Sequence, residues 1–143
     1  MTAQPRRPKS KHVNKPRAEE LTLTIEQIDE DGLGLATHEG KRVVVFDALP
    51  GEKVVARVAH TGRHRIIAST HRVLQPSRQR VAKTSCPHYR SCQGCALLSW
   101  KYPAQLERKS QRVADALATY PELYDVELGD VWAAPETLGY RAS

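Results

Sequence analysis

The sequence predicts a mainly β protein: a small five-stranded antiparallel barrel over residues 21–76, then a cysteine-bearing loop and a helix. Three observations predict it. Five short runs rich in β-branched residues follow one another, separated by turn signals every eight to twelve residues or so, with no helical period between them. Cys86, Cys92 and Cys95 form one compact run, and Pro103 then opens an amphipathic stretch of helical period. At 143 residues and 40% hydrophobic content, the chain suits one domain with an appendage and a modest core, not a large enzyme.

The elements follow in order. Met1 to Glu20 holds Pro5, Pro8 and Pro16 among basic and small polar residues without a hydrophobic period, and reads as a disordered tail over residues 1–20. Leu21, Leu23 and Ile25 alternate with Thr22, Thr24 and Glu26, the period of a half-buried strand. Gly32 and Gly34 supply a turn and a closely approaching second strand, and His38-Glu39-Gly40-Lys41 reads as a hairpin turn into Val43–Phe46. Pro50-Gly51 is the pair that a type II turn prefers, and it leads into Lys53–His60. A fifth strand runs from about Arg65 to Leu74, and Pro76 ends it. Leu23, Ile25, Val44, Val54 and Val58 are the expected inward residues, with Phe46 also assigned to the core. Beyond the cysteines, a helix from Pro103 to about Thr119 carries Leu106, Val113 and Leu117 on one face and must pack on something. Val126–Val131 reads as the start of another strand.

Charge is unevenly distributed. Residues 1–18 hold six Lys/Arg and no acid, residues 19–40 seven acids and no Lys/Arg, and residues 41–83 ten Lys/Arg against two acids. A basic tail and a basic segment are the footprint of a polyanion partner. No apolar run is long enough to span a bilayer, and the N-terminus lacks the apolar segment of a signal peptide. A cytoplasmic protein without a membrane partner is expected, and a monomer. In that reducing compartment the odd count of three cysteines points to metal or cluster ligation rather than crosslinking. Spacing leaves three readings open: three thiolates of a [4Fe–4S] cluster, a Cys3His zinc site completed by His88, or free thiols without a metal.

Leu21 to about Pro76, with the Gly32-Leu33-Gly34 and Leu49-Pro50-Gly51-Glu52 turns, resembles the TRAM domain, a small OB-like barrel of RNA-modifying enzymes. The run Cys86-Pro87-His88-Tyr89-Arg90-Ser91-Cys92-Gln93-Gly94-Cys95 resembles the C-P-x4-C-G-G-C cluster motif of the uracil-5-methyltransferases that act on ribosomal RNA. Trp100-Lys101-Tyr102-Pro103 and the following helix, and Leu138-Gly139-Tyr140-Arg141, look like later landmarks of that family. Gln93 departs from the motif's first glycine.

The resemblance implies an organisation and a function. Residues 1–20 would be the tail, 21–76 the TRAM barrel, and 77–143 the cluster module and the truncated start of an α+β central domain. Cys86, Cys92 and Cys95 would hold a [4Fe–4S] cluster whose fourth ligand lies outside this chain. The S-adenosylmethionine site and the catalytic residues would also lie beyond it, so the chain would be inactive alone. Ribosomal RNA is the implied partner. OB-like barrels bind nucleic acid through a basic groove, and Lys41, Arg42, Arg57, Arg63, His64 and Arg65 are the candidates, with Arg63, His64 and Arg65 grouped at a loop tip after Gly62. The rival reading is a free-standing RNA-binding protein with a zinc knuckle. A radical methylthiotransferase, which also uses this barrel, fits the cysteine spacing and domain order less well.

Overall fold

The computed structural model describes residues 19–92, 94–123 and 125–139. The basic tail to Arg17, Gln93 and the Tyr140-Arg141 landmark lie outside the described residues. Strands β1 (Glu20–Thr24), β2 (Gln27–Ile28), β3 (Gly34–His38), β4 (Lys41–Phe46), β5 (Lys53–Thr61) and β6 (Arg65–Gln75) form one sheet in the order β1-β5-β6-β4-β3-β2. The mainly β, OB-like expectation holds, with three differences in detail.

First, the expected opening strand is broken into β1 and β2 at Ile25 and Glu26, giving six strands. β1 pairs with β5 and β2 with β3, so two halves of one short segment form opposite edges of the sheet. At the break, the Ile25 N–H donates to the Glu52 carbonyl and the Glu26 N–H to the Leu35 carbonyl, both at 2.8 Å. The sheet curls until its edges share a segment, but no continuous ladder closes it into a barrel. Second, the sheet is mixed: β4 and β6 run parallel and every other pair is antiparallel. The connection after β4 explains this. Ala48 and Leu49 are buried, and the Gly51 N–H donates to the Ile25 carbonyl at 2.8 Å, so the chain crosses to β1 instead of folding back on β4.

Third, the inward parity of β4 is shifted by one. Val43 and Val45 are fully buried with Leu21, Leu23, Ile25, Val54, Ala56, Ile66 and Ala68, whereas Val44 and Phe46 are only half-buried and alternate with them. Four apolar residues in succession carry no alternation from which a face could be read. Leu23, Ile25 and Val54 are in the core as expected, and Val58 packs partly buried against it.

The turn chemistry is as the sequence indicates. Glu39 and Gly40 both have positive φ, 47° and 75°, as a type I′ hairpin requires, and Gly51 at 79° takes the second central position of a type II turn. Gly34 marks a close approach, because a Cβ there would stand 2.9 Å from the Ala48 Cβ and carbonyl oxygen.

Helix α1 (Tyr102–Leu117) begins with Pro103 in its first turn. It buries only Ala104, in a second small core with Leu49 and Trp100, against which Ile28 and Leu97 pack. The helix packs on the rest of the protein as expected, but mainly at its start: Leu106 and Leu117 are half-buried and Val113 is exposed. A 3-10 turn spans Pro121–Leu123. The strand expected over Val126–Val131 is absent among the described residues; Val126, Leu128 and Val131 are exposed on irregular chain. No helix among them is long and apolar enough to cross a membrane.

Candidate nucleic-acid interface and cysteine loop

The hairpin between β3 and β4 sets Lys41 opposite His38, and the parallel pairing of β4 with β6 sets Arg42 beside Arg65. Both arginines alternate with the buried Val43 and Ile66, which puts them on the outer face of the sheet. The Gly62 N–H donates to the Arg65 carbonyl at 2.9 Å and closes a tight loop that carries Arg63 and His64. Lys41, Arg42, Arg63, His64 and Arg65 are all exposed at this end of the sheet. The fold thus gathers five of the six expected RNA contacts from two segments about twenty residues apart.

Arg57 is not among them. It pairs with Glu20 at 3.0 Å and shares a hydrogen bond with His71 Nε2 at 3.0 Å, so its charge is already compensated within the sheet. On its β2 side, Arg42 also borders a groove of about 680 Å³ shared with Arg108, Arg112, Asp29, Asp31 and Asp115. Interleaved acids make that groove a poor track for a polyanion.

The cysteines lie on a loop closed at its base. The Val81 N–H donates to the Ser99 carbonyl at 2.9 Å and the Lys101 N–H to the Gln79 carbonyl at 2.7 Å, around an Arg80–Trp100 bridge. Inside the loop, the Cys92 N–H donates to the His88 carbonyl at 2.7 Å and the Leu98 N–H to the Cys95 carbonyl at 3.1 Å. Turns take the place of helix or strand.

Two side chains dock this loop on the sheet. Arg80 donates from Nε to Glu52 Oε1 at 2.6 Å, from Nη2 to Glu52 Oε2 at 2.8 Å, and from Nη1 to Asp47 Oδ1 at 2.8 Å. The fully buried Glu52 also accepts the Leu49 and Ser77 N–H groups, at 2.9 and 3.0 Å, so both carboxylate oxygens are satisfied. Burial alone would lower the Arg80 pKa, but the bonds to Glu52 and Asp47 outweigh it and raise it above the ordinary value. From within the loop the Tyr89 hydroxyl donates to Asp47 Oδ1 at 2.8 Å. Burial, reinforced by the Asp47 carboxylate, pushes the Tyr89 pKa up to about 12.

All three thiols are free, Cys86 partly buried and Cys92 and Cys95 exposed. Cys92 and Cys95 line one cavity of about 90 Å³ with Phe46, Ser69, Thr70 and Tyr89, and Cys86 does not. Among the described residues no three His, Cys, Asp or Glu side chains are grouped as a metal ion requires. The donor set therefore fits a thiolate-bound group in its chemistry, whereas this arrangement does not bring the three sulfurs together.

Sequence reasoning passed over Arg72, Lys83 and Arg90, which line a groove of about 480 Å³ between β6 and the cysteine loop. Their only sequence signal was the basic excess of residues 41–83, and Arg90 falls outside that block.

Residues 16–64 match the TRAM domain family. The chain is 39% identical over 127 residues to an uncharacterized RNA methyltransferase of Geobacter sulfurreducens, covering 89% of this chain and 26% of that protein. It is 35% identical over 107 residues to the 23S rRNA (uracil(1939)-C(5))-methyltransferase RlmD of Shewanella baltica, covering 75% of this chain and 24% of that protein. The protein of the same name from Pseudomonas savastanoi is 34% identical over 134 residues, 92% of this chain and 29% of its own length. The chain thus spans about a quarter of the length of the curated relatives it matches.

Proposed function

From a chain that carries a TRAM domain and is homologous to the N-terminal part of RNA methyltransferases, we propose an RNA-binding module of an rRNA uracil-5-methyltransferase. In this reading it divides into a basic tail over residues 1–20, the RNA-binding sheet over 21–76 and a cysteine module over 77–143. Methyl transfer from S-adenosylmethionine to uracil belongs to the part of such an enzyme outside this chain. The module acts in the cytoplasm as a monomer, with ribosomal RNA as its partner.

The observation that carries the reading is the convergence of Lys41, Arg42, Arg63, His64 and Arg65 at one end of an OB-like sheet. The sheet offers few aromatics for stacking, so phosphate contacts dominate and sequence readout is weak. Removing charge at Arg63 and Arg65 together should weaken binding to ribosomal RNA fragments. It should also lower the slope of log affinity against log salt by about 0.7 per lost contact on a single strand. Affinity indifferent to both salt and these substitutions would refute the assignment.

Cys86, Cys92 and Cys95 are the proposed thiolate ligands of a [4Fe–4S] cluster, with the fourth donor from outside the chain. The free state of all three thiols on one closed loop supports this. Methylation of a uracil carbon needs no electron transfer, so the group would serve to hold the loop in place. Anaerobically purified protein should retain iron and sulfide sub-stoichiometrically, less with Cys92→Ser and unchanged with His88→Ala. Stoichiometric zinc that is lost with His88→Ala, without iron or sulfide, would point instead to a free-standing RNA binder with a Cys3His site.

A further inference from the structure

The groove between β6 and the cysteine loop has a charge balance unlike its surroundings. Arg72 comes from β6, Lys83 and Arg90 from the loop, and all three are exposed. Among the described residues Asp47 is the one acid lining it, and it is engaged by Arg80 at 2.8 Å and by the Tyr89 hydroxyl at 2.8 Å. Arg90 Nε stands 4.0 Å from Asp47 Oδ2, a long pairing that leaves its side chain largely in solvent. Arg80 lies between two carboxylates, Asp47 and the buried Glu52, so this clamp leaves one negative charge against the three exposed cations Arg72, Lys83 and Arg90, and the groove keeps a positive excess. His71 at the rim adds charge only when protonated, and it faces Glu20 at 3.8 Å and Arg57 at 3.0 Å. A concave site with an excess of positive charge focuses its potential on an incoming anion.

We infer that this groove is a second phosphate-binding site for a single RNA strand, assembled by the docking of the cysteine loop. The inference rests on the RNA-binding reading above and adds to it a different surface. Arg72 lies seven residues along β6 from Arg65, roughly 23 Å at the usual strand rise, so a single strand can follow β6 from the basic end of the sheet to the groove. The loop then has a direct part in binding. Without the Arg80 and Tyr89 contacts, Lys83 and Arg90 would not be held opposite Arg72.

The test uses the full 143-residue chain and a short fluorescein-labelled oligouridine, followed by anisotropy across a salt series. Arg72→Gln, Lys83→Gln and Arg90→Gln together should lower the salt slope by about two units, three contacts at about 0.7 each. Each single substitution should lower it by about 0.7. The single variants keep the measurement decisive if the triple variant fails to fold. Tyr89→Phe, which removes no charge, should weaken binding by loosening the loop. Wild-type slopes in the groove variants, alongside a reduced slope in Arg63→Gln/Arg65→Gln, would overturn the inference and leave the RNA-binding reading standing. No salt-dependent binding by the wild-type chain would overturn both.

Discussion

Glu52 is fully buried and charged, and it is stable there because each of its oxygens has an N–H partner as well as the Arg80 guanidinium. Breaking such a pair from one side leaves a charge without compensation, at a cost of about 3–5 kcal/mol. Arg80→Met should therefore lower stability in urea by about that amount, and Arg80→Met/Glu52→Gln should recover part of it. Tyr89 gives a second residue-scale prediction, with its sign set by linkage. A raised folded-state pKa means that the protonated phenol is the form the fold favours. Its contribution is complete below the ordinary value near 10 and is lost as pH rises toward about 12. The stability gap between wild type and Tyr89→Phe should narrow over that interval; a constant gap would mean that the hydroxyl is not held by Asp47. The sequence marked Glu52 only as part of a turn, because its cation stands 28 positions away. By contrast, the basic residues of the sheet were legible singly, since exposed charge next to turns needs no distant partner. Arg57 misled because its compensating acid, Glu20, is 37 positions distant.

At the scale of elements, turn residues were the most informative part of the sequence, because glycine at a positive φ is a local requirement. Gly40 and Gly34 test two different reasons for a glycine. Gly40 has φ 75° and nothing within 4 Å of a built Cβ, so Gly40→Asn, which tolerates that conformation, should change stability by no more than about 0.5 kcal/mol. Gly34→Ala would meet Ala48 at 2.9 Å and Ile25 Cγ2 at 3.1 Å, and should cost about 1–3 kcal/mol by overpacking. Denaturant titrations of the two variants separate conformational from steric demand. The bend at Ile25–Glu26 and the parallel β4–β6 pair were not legible. Alternation continues through Glu26 without interruption, and the crossing to β1 depends on the Gly51 and Ile25 backbone bonds, which no period encodes.

At the scale of the molecule, two cores of different size among the described residues are joined by a polar clamp. The larger lies within the sheet, and the smaller contains Leu49, Trp100 and Ala104. Leu49 belongs to the β4–β5 connection and donates its N–H to Glu52, so the small core is anchored to the sheet through the carboxylate that holds Arg80. This coupling predicts that sheet and cysteine module unfold together. The two tryptophans provide the readout, because Trp100 is 9% exposed in the small core and Trp132 is 94% exposed on irregular chain. With Trp132→Phe as the background, fluorescence reports Trp100 alone, while amide hydrogen exchange in β4, β5 and β6, followed through the same urea series, reports the sheet. The two urea transitions should coincide in that background, as a single cooperative unit requires. Introducing Glu52→Gln weakens the shared anchor, and the fluorescence transition should then move to lower urea, ahead of the loss of sheet signal. Coincident transitions in both proteins would show that the small core is held to the sheet by its apolar contacts, and separate transitions in both would show that the clamp does not couple them.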